Sequence, residues 1–227
     1  MCFSAQASFT AGVLLTLSGA VCVLHAARVQ PQLRVLAAMP FFFGAQQIIE
    51  GCVWLALNAG DPAWVRVLSM GFLFFAFLWW PLYCPLAVLP LEACHRQRHL
   101  LLLMMTMCGG LLGILIYVPV LSGQVALSTQ IVDHCIRYET DRADTLKHTY
   151  TALYLLLTVT PFAIASHNRL KVFAALLLIS IGVAAYFYKF AFFSVWCFFA
   201  ACLSLCIAWV LKTQNRQSEL AWSSQLT

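Results

Sequence analysis

The sequence predicts an all-α fold, a polytopic membrane protein built as one bundle of seven transmembrane helices with its N-terminus outside and its C-terminus cytoplasmic. Three observations predict it. Apolar residues make up 63% of the 227-residue chain and charged residues 9%, against roughly 45–50% and 25% in soluble domains. The mean hydropathy is +0.87. Apolar runs of about 20 residues, the length that crosses a hydrocarbon core, recur along the chain with Lys and Arg at their ends. The same composition excludes a disordered chain or a coiled coil.

The first span covers 9–27 and stops before Arg28. The opening residues MCFSAQASF carry no basic segment, so no cleavable signal peptide is expected and the first run stays as a span. The second covers 35–57 and ends at the turn Asn58-Ala59-Gly60-Asp61-Pro62, whose residue types break helices. The third covers 67–89 and ends at Pro90. Within it lies Trp79-Trp80-Pro81-Leu82-Tyr83-Cys84-Pro85, where two prolines four apart remove backbone donors and predict a kink or broken helix. The fourth, 100–121, contains Gly109-Gly110-Leu111-Leu112-Gly113, a small-residue pattern that predicts close helix packing. A polar loop, 122–147, follows. The fifth, sixth and seventh spans cover 148–166, 172–188 and 190–211. The join at Lys189 has no full turn sequence, so the last two read as a tight helical hairpin or, less simply, one broken helix. Residues 1–211 thus form the bundle and 212–227 a polar, mobile cytoplasmic tail.

Orientation follows from the basic residues flanking the spans, which favour the cytoplasmic side. Arg28, Arg34, Arg96, Arg98, Arg169, Lys171, Lys212 and Arg216 share one side, and Arg66, Arg137, Arg142, Lys147 and Lys189 the other. The net charge of +5 is therefore an orientation signal and not a nucleic-acid patch. Most of the ten cysteines lie inside apolar runs, where they act as small hydrophobes, and no C-x-x-C spacing occurs.

Function is sought in the polar groups that hydrocarbon does not tolerate alone. Gln46, Glu50 and Trp54 recur every four residues, with Gln47 three before Glu50, so they form one helical stripe. Glu50 is the only acidic residue well inside a span. Such a carboxyl must be neutral, paired, metal-bound or wetted by a cavity. A purely structural reading has a neutral Glu50 bonded to the glutamines and gluing helices together. The predicted topology also gathers Cys2, Glu50, His134, His148, Ser194 and Cys197 at the outer face. The pocket candidates are Gln46, Gln47, Glu50, Trp54, Ser194 and Trp196. Cys, His and Glu are ligands for zinc or another transition metal, which makes Cys2, Glu50, His134 and Cys197 the metal candidates. Glu50 and His134 are the acid–base candidates for catalysis. Cys2 and Cys197 could instead form a disulfide on an oxidising side. On the inner face, Glu92 is expected to pair with Arg169 or Arg96.

At MCFSAQASF, QQIIEGCVW, WWPLYCPLAV and FFSVWCFFAA the chain resembles a family of small bacterial multi-pass membrane proteins, the domain of unknown function 6629. The resemblance runs through nearly the whole chain and implies the membrane fold without a mechanism. A distant likeness to seven-span zinc hydrolases of the alkaline ceramidase type carries no activity over, because their last span holds an HxxxH pair and 190–211 contains no histidine.

The leading expectation is an inner-membrane protein with a polar pocket near the periplasmic face that binds a small ligand or metal ion for transport or sensing. The alternatives are a membrane-embedded enzyme acting on a lipid or isoprenoid substrate, and a structural or partner-binding subunit. The expected partners are the lipid bilayer and a small-molecule or lipid ligand, with no nucleic acid. The sequence leaves the oligomeric state open.

Overall fold

The computed structural model describes residues 4–141 and 143–207. Helix α1, Ala5–Val29, starts at Ser4, whose Oγ accepts the Ala7 N–H at 3.2 Å. A 3-10 turn, Pro31–Leu33, and a short α2, Arg34–Ala37, lead into α3, Met39–Ala59. Glycines let α1 lie directly along α3. A Cβ on Gly12 would sit 2.7 Å from Ile48 Cγ1, and one on Gly51 2.9 Å from the Phe9 ring. Helix α3 ends at Gly60 in the left-handed region, at φ 68°, where glycine meets no steric penalty. Asp61 then caps α4, Pro62–Leu73, by accepting the Ala63 and Trp64 N–H groups at 3.0 and 3.1 Å.

The expected kink falls a turn earlier than the prolines. Residues Phe74–Trp79 form a π-helical segment, and α5, Trp80–Val88, runs through both Pro81 and Pro85. The Trp80 N–H reaches back five residues to the Phe75 carbonyl. Pro81 has no N–H to offer, so the wide turn just before it absorbs the mismatch that would otherwise bend the helix. A 3-10 turn, Leu89–Glu92, precedes α6, Arg96–Leu121. The small-residue pattern of α6 does what its spacing predicts: a Cβ on Gly109 would overlap the Pro81 carbonyl, and one on Gly113 would lie 2.7 Å from Leu78 Cα.

The segment expected as a polar loop holds a β-hairpin. Strands β1, Leu127–Val132, and β2, Cys135–Thr140, pair antiparallel from Leu127↔Thr140 to Val132↔Cys135. Asp133 and His134 make the two-residue turn with φ of 45° and 58°, the left-handed pair that suits the twist of a hairpin. Helix α7, Asp144–Ile164, helix α8, Asn168–Phe187, a 3-10 turn, Lys189–Ala191, and helix α9, Phe192–Ser204, complete the described chain. Helices α8 and α9 pack on each other across that turn, so the join at Lys189 is a helical hairpin. The tail from 212 onward lies outside the described residues.

Among the described residues five helical stretches are long and apolar enough to cross a membrane: Ala5–Val29, Pro31–Ala59, Pro62–Glu92, Arg96–Leu121 and Asn168–Phe187. Large apolar side chains face outward along them, with Leu17 62%, Met107 70% and Ile179 63% exposed. Apolar side chains repeated along the outer surface of several helices match a hydrocarbon surround far better than water.

At the end of the bundle opposite the hairpin, Glu92 is fully buried. Its partners are not Arg169 or Arg96. The Ser166 N–H and Oγ donate to its two oxygens at 2.6 and 2.7 Å, and Arg98 Nη1 lies 3.5 Å away. A buried carboxylate is best satisfied by several donors at once, and the loop after α7 supplies a backbone amide that no charge pattern reveals.

Gly109→Ala is expected to destabilise the protein by about 1–3 kcal/mol through overpacking against Pro81. Gly182→Ala, in α8 with open space around it, is expected to be neutral or mildly stabilising. Thermal unfolding of the two variants in one detergent checks the contrast.

Candidate functional site

The α3 stripe faces the middle of the bundle, where Gln46, Gln47 and Glu50 are each completely buried. Gln47 Nε2 donates to Glu50 Oε2 at 3.1 Å, one helical turn away. Ser194 Oγ donates to Glu50 Oε1 at 2.5 Å from the first turn of α9. Each carboxyl oxygen thus has its own donor, one local and one from the far end of the chain. Gln46 Oε1 accepts the Trp80 Nε1–H at 2.7 Å. The Trp80 ring stacks on Phe43 at 3.7 Å. The π turn before Trp80 sets the rotation of α5 that turns this indole toward α3.

Cys197, one turn after Ser194, lies beside the Gln46 amide as a buried free thiol. Trp54 packs with Val53 and with Ile136 of the hairpin. Several buried polar atoms here have no hydrogen-bond partner among the described residues: Gln46 Nε2, Gln47 Oε1, Trp54 Nε1, Trp196 Nε1 and Ser8 Oγ. Buried polar groups are ordinarily matched, and two of these open atoms, Gln46 Nε2 and Gln47 Oε1, belong to the glutamines within a turn of Glu50.

The hairpin covers this region. Cys135 and Ile136 are fully buried, and the Tyr138 ring stacks on Phe72 of α4 at 4.6 Å. Burial pushes the Cys135 thiol above its ordinary value, which keeps it protonated and a poor ligand or nucleophile. Beside the hairpin, between α7, α8 and the start of α9, lies a cavity of about 670 Å³. Its rim carries Arg137, Glu139, His148 and Lys189, its walls Phe77, Phe190 and Phe193, and its depth the buried Ile136, Tyr154 and Ser194. Ser194 therefore belongs both to the cavity wall and to the Glu50 hydrogen bond. Arg137 and Glu139 pair across the rim at 2.7 Å.

Of the sequence candidates, Gln46, Gln47, Glu50, Ser194 and Cys197 come together. Trp54 sits one turn from Glu50 against the hairpin, and Trp196 lines a smaller cavity behind Tyr154. His134 is exposed in the hairpin turn, and the hydrogen bonds to Glu50 among the described residues come from Gln47 and Ser194. Cys2 lies outside the described residues, and with it the proposed disulfide and the fourth metal ligand. Among the described residues no three His, Cys, Asp or Glu side chains are grouped to hold a metal ion. Trp80 and Tyr154 were missed. Trp80 could have been found as a polar-tipped aromatic beside the proline pair; nothing in the apolar run around Tyr154 distinguishes it.

A family model spans residues 1–223. The chain belongs to the family of unknown function DUF6629. No curated protein and no solved structure matches it. The motifs quoted for the resemblance are the ones this DUF6629 member turns inward: QQIIE supplies the carboxyl and both amides, WWP the indole and FFSVWC the hydroxyl.

Ser194→Ala leaves one oxygen of a buried carboxyl without its donor and is expected to cost about 1–3 kcal/mol. Combined with Glu50→Leu, the double variant is expected to lose less than the sum of the two single losses, because the two side chains share one interaction. Melting curves of the four proteins decide this; additive losses would mean that the side chains act independently.

Proposed function

We propose that this is a seven-span protein of the bacterial inner membrane, with its N-terminus outside, that binds a small organic ligand in the cavity beside the hairpin for transport or sensing. The α7 segment and the apolar stretch Lys189–Ser204 complete the seven spans beside the five longer helices. The hairpin end carries fewer basic residues than the opposite end, which supports a periplasmic cavity. The observation that carries the ligand reading is the cavity itself. A volume of about 670 Å³ falls in the range of small-molecule sites, which are mostly apolar with a few placed polar groups. The charged rim, the phenylalanine walls and the Ser194–Glu50 pair beneath give that composition. The metal form of this idea has no ligand cluster among the described residues behind it.

Ala152 and Ala185 line the cavity but are exposed, so a large side chain at either fills the space without disturbing the core. Native mass spectrometry of protein extracted with its surrounding lipid is expected to find a retained small molecule. Ala152→Trp and Ala185→Trp are expected to lose it with unchanged melting temperatures. Retention of the same molecule by both variants would place it elsewhere.

The Ser194–Glu50 hydrogen bond favours a second reading, a membrane-embedded hydrolase of lipid esters. Glu50 would take the Ser194 proton as Oγ bonds the ester carbonyl carbon, and would return it to the departing alkoxide; water would then release the acyl group from Ser194. A fluorophosphonate should then label Ser194 in the wild type and not in Glu50→Gln, as read by peptide mapping. An unlabelled wild type removes this reading and leaves ligand binding intact.

A further inference from the structure

A separate cavity of about 740 Å³ lies at the hairpin end of the bundle and shares no lining residue with the one beside α7. Its walls are the turn between α3 and α4, the first turns of α4, the loop after α6 and the start of β1. Leu57, Val65, Met70 and Val120 give it an apolar lining. Tyr117 Oη donates to the Met70 carbonyl at 3.2 Å and ties α6 to α4 beside that lining.

Two opposite charges stand in this cavity without meeting. Asp61 and Arg66 both line it, yet neither forms an ion pair with the other or with any described residue. Asp61 Oδ1 is taken by the Ala63 and Trp64 N–H groups, and Oδ2 receives no hydrogen bond among the described residues. Arg66 Nη2 reaches toward the loop after α6, where a Cβ on Gly123 would lie 3.6 Å from it. A guanidinium stays charged and offers five N–H donors, and those of Arg66 have no acceptor among the described residues.

This layout selects an occupant. A lone anion drawn to Arg66 meets Asp61, and a lone cation drawn to Asp61 meets Arg66; like charges repel. A zwitterion whose two charges are set apart satisfies both groups. Position supplies the other half of the argument. The apolar stretch Pro62–Glu92 begins here, and Trp64 and Val67 on the same turns are exposed. Tryptophan collects where spans meet the head-group layer, so the molecules that reach this cavity are phospholipids.

We propose that the cavity is a site for the head of a phospholipid with a primary ammonium, a phosphatidylethanolamine. The phosphodiester lies at Arg66, the ammonium donates to Asp61 Oδ2, and the acyl chains run down the outside of α4 over Val67. A choline head has no N–H to give Asp61, and a glycerol head has no cation.

The test is native mass spectrometry of the delipidated full-length protein in detergent. It is titrated with dioleoyl phosphatidylethanolamine, phosphatidylcholine or phosphatidylglycerol. The first is expected to bind about fivefold more tightly than either of the others, the scale of one exposed ion pair. Asp61→Asn removes the charge and keeps a capping oxygen, and is expected to abolish the preference over phosphatidylglycerol. Arg66→Gln is expected to weaken phosphatidylethanolamine by about the same factor. Melting temperatures report folding, and Asp61→Ser, also a cap, stands in should the asparagine variant melt early. Ala152→Trp, which fills the other cavity, is expected to leave the preference unchanged, so this result and the reading of that cavity are judged separately. Equal binding of the three lipids, or an ethanolamine preference that survives in both the Asp61 and Arg66 variants, would overturn the proposal. Displacement of the lipid by an equal concentration of glycerophosphoethanolamine would overturn it as well, because the site would then serve a soluble zwitterion.

Discussion

A carboxyl group placed beyond the reach of water must take its hydrogen bonds from the protein around it, and the arrangement of this bundle follows from how Glu50 does so. One donor, Gln47, comes from its own helix and needs only the helical period. The other, Ser194, comes from α9 and needs the last helix at a fixed height and rotation against α3. Gln46 makes the same demand of α5 through Trp80. Three helices distant in sequence are thereby fixed about one point. Among apolar surfaces alone they could slide, because lipid and leucine are equally apolar and burial gives little preference for one register.

The two ends of the bundle solve the same problem differently. Near the hairpin, the polar groups around Glu50 are only partly matched among the described residues, and a large cavity lies alongside. At the opposite end, Glu92 is saturated by Ser166 and Arg98 and ties two loops together. Saturated networks rigidify, whereas incompletely matched ones mark sites. The contrast separates a clamp from a candidate binding site without appeal to the identity of any ligand.

Much of this was legible from residue order. The helices follow the apolar runs closely, and the Gln-Gln-x-x-Glu stripe, Ser194 and Cys197 lie together in the fold. The hairpin was not seen, although Leu127-Ser128-Thr129-Gln130-Ile131-Val132 and Cys135-Ile136-Arg137-Tyr138 carry the β-branched and aromatic residues of strands. The polarity of the segment outweighed that signal, and Asp133-His134 lacks the glycine that usually announces so tight a turn. The π segment escaped because the sequence marks where backbone donors are missing but not which turn compensates. Glu92 was assigned by charge, while its principal donors are an amide and a hydroxyl. Tyr154 was invisible for a deeper reason: it lines two cavities, and neither exists until the helices have packed.

The bond between Glu50 and Ser194 joins residues 144 positions apart, and this has a consequence for biosynthesis. A ribosome delivers α3 long before α9, so the nascent chain holds a carboxyl with only its local glutamine as donor while five further helices and the hairpin are made. Assembly cannot finish helix by helix in order of synthesis. The last segment to emerge completes a centre founded by one of the first, and chains interrupted before it retain an unsatisfied acid at their core for quality control to find.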